Sequence, residues 1–401
     1  MHPLLHPLDW NPPPTLDRYD LVVLGGGAAG LVAAHAARRG GLSVALIERG
    51  LLGGDCLNHG CVPSKALLAS ARMGLTWAEA RARTLELQAR IAPHDSAQRL
   101  ATAGVHVHLG TARFVNEDAV EVNGVRLRFE ACLVATGARP RQLEGALTPE
   151  KFFALETLPE RLRVIGGGPV GCELAQAAAG FGCQVEVYEQ APHLLPRDEP
   201  EAGRHLAKSL GATIHVGTAG SVQGPTLAAI GRTPNTEALE LSAAGLSELA
   251  VNERLQTPNP RIYASGDAIG PPFFTHAADA MSRLVVENLL GASRTVDELV
   301  IPWVTYTSPE VAGIGRRQGD LIEVSSNDRS MLEGESGWVR VWYAGSTIRG
   351  ASIVGPQAGE LIGTVALAMA HGGMPALQRL ITPYPTRSDM LRRVGQLWSR
   401  R

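Results

Sequence analysis

Residues Tyr19 to Glu48 read YDLVVLGGGAAGLVAAHAARRGGLSVALIE and decide the fold of this chain. An apolar run, a glycine turn, an alanine-rich stretch of helical period ending in Arg38 and Arg39, and a second apolar run make strand, turn, helix, strand. Gly25, Gly27 and Gly30 fall at the spacing of a dinucleotide fingerprint. One serves the turn, one the close approach of a pyrophosphate, and one the packing of helix on strand. Glu48 ends the second strand, where a carboxylate can accept hydrogen bonds from a ribose diol. That acid favours an adenosine dinucleotide over a bare phosphate ligand.

Immediately downstream, Gly53 to Lys65 read GGDCLNHGCVPSK. Cys56 and Cys61 stand where the chain enters a helix, whose positive N-terminus would stabilise a thiolate. The pair reads as a redox-active dithiol, one sulfur acting as nucleophile and the other as electron relay. A zinc site would need a second pair of Cys or His ligands at short spacing. Cys132, Cys172 and Cys183 are scattered singly, so no metal is assigned.

The first unit then recurs. Arg163 to Glu189 read RVIGGGPVGCELAQAAAGFGCQVEVYE, with Gly166, Gly168 and Gly171 at the fingerprint positions and Glu189 as far from Gly166 as Glu48 is from Gly25. An internal duplication and two bound dinucleotides follow. Glu189 favours a free 2′-hydroxyl and no arginine follows it directly, so NADH is preferred to NADPH. Only TIHVGTAGSVQGPTLAAIG, Thr213 to Gly231, remains before the chain leaves this repeat. At roughly five to six residues per strand, that holds about two strands and a turn.

With 401 residues, 45% hydrophobic content and net charge -2, the chain has the composition of a soluble globular protein of two or three domains, with no basic surplus for nucleic acid. Leu21 to Ala37, the one candidate membrane run, is broken by glycines and followed by arginines, as a buried strand and helix would be. The opening residues, MHPLLHPLDWNPPPTLDR, lack a basic leader and carry helix-breaking prolines, which suggests a cytoplasmic protein with a loose N-terminal arm. Five cysteines in a reducing compartment do not make a structural disulfide framework, so a disulfide here would be catalytic.

The cysteine segment, set behind a dinucleotide fingerprint, resembles the class I flavin-dependent pyridine nucleotide-disulfide oxidoreductases, nearest the branch of mercuric reductase and dihydrolipoamide dehydrogenase. The resemblance runs from about Tyr19 to the C-terminus. It implies an α/β fold with two Rossmann-like dinucleotide-binding domains, the NAD domain shortened for want of a β-meander, and a C-terminal α+β dimerisation domain. The implied boundaries are 1–145 and 232–300 for the two parts of the FAD domain, 146–231 for the NAD(P) domain and 301–401 for the interface domain of a homodimer. The implied cofactors are FAD and NAD(H), with NADP(H) disfavoured.

Residue by residue, the resemblance makes Cys61 the thiolate against the flavin and Cys56 the outer, exchanging thiol. Lys65 matches the lysine near flavin N5, and Glu173 its carboxylate partner. Leu133 to Pro140, with Thr136 and Gly137, and IGRTPN, Ile230 to Asn235, match crossing motifs between the dinucleotide domains. RIYASGDA, Arg261 to Ala268, brings Gly266 and Asp267, the aspartate that holds the flavin ribityl chain. The helix of FFTHAADAMSRLVVENLL, Phe273 to Leu290, presents its N-terminus to the flavin, and His276 reads as a packing or capping residue. At the C-terminal end the family's catalytic His-Pro-Thr segment reads YPTRSD, so Tyr384 replaces the histidine and Asp389 the following glutamate. A phenol is a poor base at neutrality.

The implied function is electron relay between nicotinamide, flavin and the Cys56–Cys61 disulfide to a small-molecule disulfide or other acceptor, with no nucleic-acid or membrane partner. Mercuric reductase proper is the alternative enzyme, although its C-terminal cysteine pair is missing from a chain that ends WSRR. A flavin-binding redox sensor without turnover is the alternative outside the enzymes.

Overall fold

The computed structural model describes residues 3–401 and divides into two compact units. One comprises residues up to Leu67, Ala78–Arg141 and Gly231–Leu299; the other comprises Leu68–Trp77, Gln142–Ile230 and Val300–Arg401.

The first unit is built on strand Tyr19–Leu24, which pairs in parallel with Val44–Glu48 on one side and Val125–Val134 on the other. Val105–Leu109 extends the sheet beyond Val44–Glu48, and Ile262–Ala264 joins Val125–Val134, again in parallel. Tyr19–Leu24 and Val44–Glu48 are the near-continuous apolar runs that a sheet buried on both faces requires. Helix Ala28–Arg39 starts at Gly27, buries Ala29, Leu31, Ala33, Ala34 and Ala37, and ends in Arg38 and Arg39 before Gly40. Basic residues in that last turn oppose the negative end of its dipole. Ala112–Asn116 and Ala119–Val122 form the expected antiparallel excursion with Val125–Val134. Its turn places both Asn123 and Gly124 at positive φ, as a tight hairpin demands.

In the second unit, a four-stranded parallel sheet runs in the order Ala212–Val216, Gln184–Glu189, Arg161–Ile165, Thr226–Ala228. The two strands for which the shortened segment has room are present, but they do not form a hairpin. They lie on opposite edges of the sheet and are joined by Gly217 to Pro225 alone. That link packs on the sheet: Gly220 abuts the Tyr188 ring, and Arg163 donates to Gln223 Oε1 at 2.7 Å.

The same unit holds a five-stranded antiparallel sheet in the order Pro302–Thr305, Glu310–Gly315, Thr347–Gly355, Trp338–Ala344, Asp320–Val324. Helices Ala358–Ala370, Gly373–Gln378 and Asp389–Trp398 seal a core with Ile314, Val341, Ile353, Val365, Leu377 and Leu391. The Arg-rich last helix is amphipathic, with Met390, Leu391 and Val394 buried.

The N-terminal arm corrects the sequence expectation, because it is not loose. Leu5 is 2% exposed, the Trp10 indole N–H donates to the Val107 carbonyl at 2.9 Å, and His6 Nδ1 lies 2.6 Å from the Gly50 carbonyl. The prolines forbid a helix but not a docked strap of turns, whose backbone groups pair with other segments. Among the described residues no helix is long and apolar enough to cross a membrane.

Candidate active site

The candidate site grows from the turn after strand Tyr19–Leu24. Gly30 lies so near the Gly25 carbonyl that an added Cβ would sit 1.8 Å from that oxygen; only glycine permits this approach. The repeat reproduces it, with a Cβ on Gly171 falling 1.9 Å from the Gly166 carbonyl. Glu48 accepts from the amides of Gly26 and Gly50, both at 2.5 Å. Glu189 likewise accepts from Gly167 at 2.7 Å and Ala191 at 2.8 Å. Each carboxylate is therefore held by the glycine turn and the following loop of its own unit.

Gly25 and Glu48 line a cleft with Leu24, Thr136, Arg139 and Asn235. The two crossing motifs form its wall by pairing with each other. Arg232–Pro234 runs antiparallel to Ala138–Pro140, Thr136 Oγ1 donates to the Asn235 carbonyl at 2.7 Å, and Asn235 Nδ2 returns a bond to the Thr136 carbonyl at 3.1 Å. Sequence reading found both motifs and missed the ribbon, which is a pairing across ninety-odd residues that no local pattern encodes.

Asp267 sits in the short 3₁₀ turn Gly266–Ile269. Burial pushes its carboxyl up to about 6; the Arg232 guanidinium opposes that rise, and Asp55 and Cys61 add to it. Arg232 Nε lies 3.3 Å from Asp267, and the same guanidinium bonds Asp55 and the Ala138 carbonyl. A half-buried carboxylate short of donors is what a polyhydroxylated chain would satisfy. Fingerprint, ribose acid, cleft and Asp267 together fit FAD.

Cys56 lies in helix Gly54–Asn58, and Cys61 opens helix Cys61–Arg72. Both are free thiols, hydrogen-bonded to each other. Cys56 is pushed upward by its bond to Cys61, by burial and by charge on Cys61, against a hydrogen bond to Thr275 that lowers it. Cys61 stands at a helix N-terminus, which favours a thiolate. Cys61 Sγ also lies 3.3 Å from Oγ1 of Thr275, the first residue of helix Thr275–Leu289. The sequence carries one signal for Thr275, a hydroxyl at the first helical position beside His276.

Lys65 follows Cys61 by one helical turn in the first unit, whereas Glu173 belongs to the second. Glu173 is buried and accepts from the Tyr306 amide at 3.0 Å. Tyr384 and Asp389 are both in the second unit, but their side chains take different partners. Tyr384, 78% exposed, donates its hydroxyl to Asp328 Oδ2 at 2.8 Å, while Asp389 accepts from Arg392 at 2.7 Å and Arg393 at 2.9 Å. Arg393 also reaches Asp328 at 3.5 Å, linking the two groups. The Asp328 hydrogen bond and its charge raise the Tyr384 phenol above its ordinary value. Asp328 was not legible in the sequence. Among the described residues no cluster of His, Cys, Asp and Glu is placed to hold a metal ion.

Comparison with known proteins agrees with this geometry. The pyridine nucleotide-disulphide oxidoreductase family model matches residues 19–224, and the model of that family's dimerisation domain matches residues 301–394. A dihydrolipoyl dehydrogenase of Thermus scotoductus is 34% identical over 442 residues, covering 93% of this chain and 96% of the relative. A mercuric reductase of Streptomyces lividans is 32% identical over 457 residues, covering 95% and 96%. Both alignments exceed the 401 residues of this chain, so each relative carries segments that this chain lacks. The HOCl-induced flavoprotein disulfide reductase RclA from Escherichia coli aligns with a TM-score of 0.85 at 26% identity, covering 94% of this chain and all of the other. LpdA from Mycobacterium tuberculosis shares the fold, with a TM-score of 0.87 at 24% identity over 94% of this chain and 99% of its own.

The chain belongs to the pyridine nucleotide-disulphide oxidoreductase family, FAD-dependent enzymes that use NAD(P)H, and carries that family's dimerisation domain. Within the family it is of the dihydrolipoyl dehydrogenase or mercuric reductase type.

Proposed function

We propose that this enzyme passes two electrons from NADH to the Cys56–Cys61 disulfide and on to a small acceptor with an acidic leaving thiol, acting as a cytoplasmic homodimer. The observation that carries the reading is the placement of Cys61 within 3.3 Å of the Thr275 hydroxyl, in the unit that also holds Asp267 and the Gly25–Gly30 turn. FAD, when bound, supplies the two-electron chemistry linking nicotinamide to disulfide.

The chain's own residues then divide the remaining work. Gly25, Gly27, Gly30, Glu48, Thr136, Gly137, Gly266 and Asp267 bind FAD; Gly166, Gly168, Gly171 and Glu189 bind NADH, with Glu189 rejecting a 2′-phosphate. Cys61 is the inner sulfur, stabilised as thiolate by its helix N-terminus and by Thr275, and Cys56 is the outer sulfur that attacks the acceptor. Lys65 and Glu173 take the places of the family's lysine near the flavin and of its carboxylate. The division 1–145, 146–231, 232–300 and 301–401 describes the segments that perform these tasks, and the dimer would present Tyr384 and Asp389 to the partner subunit's site.

The choice of acceptor rests on Tyr384. A phenol raised by its bond to Asp328 stays protonated at neutrality and offers no base for a thiol of ordinary acidity. An activated disulfide, whose departing thiol is already acidic, needs none. The test is NADH oxidation against lipoamide, glutathione disulfide, mercuric ion, an aromatic disulfide and quinones. The aromatic disulfide should be preferred; fastest turnover with lipoamide, glutathione disulfide or mercuric ion would overturn the choice.

A further inference from the structure

The N-terminal arm reaches the one segment that connects the ribose acid to the cysteine turn. The Leu52 amide donates to the Leu5 carbonyl at 3.1 Å, His6 Nδ1 meets the Gly50 carbonyl at 2.6 Å, and the Ala97 amide donates to the Leu4 carbonyl at 3.4 Å. The gripped residues are themselves bonded into the flavin site. Gly50 donates its amide to Glu48 Oε1 at 2.5 Å. Leu52 is fully buried, and a Cβ on Gly26 would meet its Cδ2 at 2.5 Å, so its side chain backs the fingerprint glycines directly. Gly53, next in the chain, donates to the Gly26 carbonyl at 2.9 Å. Leu5 itself is buried.

We infer that Leu5 and His6 are positioning residues of the flavin site, a strap that fixes Gly50 to Gly53 so that Glu48 and the Gly25–Gly30 turn stay set for the cofactor. A carbonyl on a flexible link would let Gly50 swing and free Glu48 to rotate; His6 donates to that carbonyl and removes the motion. The effect is on retention of FAD, because the arm meets the backbone behind the ribose acid.

The arm carries its own control. Trp10 also ties it down, but to Val107 in strand Val105–Leu109 and not to Gly50 to Gly53. FAD-loaded protein, diluted to follow release by recovery of free-flavin fluorescence, separates the two contacts. Loss of one hydrogen bond in His6→Ala should speed release about fivefold, and Leu5→Ala/His6→Ala at least about tenfold. His6→Asn, which keeps an N–H donor, should remain within about twofold of the parent, as should Trp10→Phe. Release from the double variant within twofold of the parent overturns the inference, and so does Trp10→Phe releasing FAD as fast as the double variant, since the arm would then act through general stability. If the double variant fails to fold, His6→Ala decides alone by the same twofold limit. The inference rests on the flavin site assigned above: parent protein that takes up no FAD sinks that assignment, whereas an unchanged release rate sinks only the strap.

Discussion

Thr275 holds its hydroxyl 3.3 Å from the sulfur of Cys61, and each residue begins a helix. Two positive helix ends and a hydroxyl thus share one sulfur, the combination that stabilises a thiolate. Replacing Thr275 with Val keeps the shape and removes the hydroxyl. A hydrogen bond to a charged group contributes about 1.5–3 kcal/mol, so the Cys61 thiol should become harder to ionise in the variant. Alkylation of dithiol-reduced protein across pH, resolved by peptide mass spectrometry, measures it. An unchanged Cys61 profile would show that the contact does not act on the thiolate.

Asp267 gives the flavin site a pH dependence. Its folded pKa is raised to about 6 from 3.8, so the cofactor-free chain binds a proton there that an unfolded chain would release. Stability from this group is fully present below about pH 4 and is lost as pH rises through about 6. Binding of FAD through an ionised Asp267 runs the other way. Its affinity should fall by up to roughly tenfold per unit below pH 6. Fluorescence titration of cofactor-free protein with FAD at pH 5, 6 and 7 tests this, and Asp267→Asn should flatten the profile. Equal affinity at pH 5 and 7 would remove Asp267 as the ribityl acceptor.

Glu189 should make NADH the better donor. Held by Gly167 and Ala191, it cannot swing away from a 2′-phosphate without giving up both bonds. We expect kcat/KM for NADH to exceed that for NADPH at least about tenfold, and Glu189→Gln to narrow the gap. A preference for NADPH in the parent enzyme would contradict the assignment.

Much of this site was legible in sequence because it rests on covalent spacing. The distance from Gly25 to Glu48, repeated from Gly166 to Glu189, sets glycine turn and ribose acid wherever strand, helix and strand are of ordinary length. Cys56 and Cys61 are fixed in the same way, by the turn into a helix. What escaped notice is through-space: the ribbon between Ala138–Pro140 and Arg232–Pro234, Thr275 beside Cys61, Asp328 beneath Tyr384. The arm departs from its sequence expectation for a related reason. Its prolines forbid a helix, but whether the arm docks depends on Leu52 and Ala97, whose amides bond Leu5 and Leu4 only in the folded chain.

Tyr384 and Asp328 make a prediction of their own. Asp328→Asn should lower the Tyr384 phenol toward 10, seen as an earlier rise in ultraviolet absorbance on alkaline titration. Tyr384→His should gain lipoamide reduction, and the gain should require Asp328, because Asp389 is already engaged by Arg392 and Arg393. If Tyr384→His/Asp328→Asn keeps the whole gain, another group orients the new imidazole.

The most direct measurement of the relay itself counts thiols in FAD-loaded, air-oxidised protein before and after anaerobic addition of one equivalent of NADH. Two new alkylatable thiols per chain should appear, both on the peptide spanning Cys56 and Cys61, and neither Cys56→Ser nor Cys61→Ser should show the pair. NADH consumed with the flavin reduced but no thiol unmasked would mean that electrons stop at the flavin, and the proposed route through Cys61 and Cys56 would be wrong.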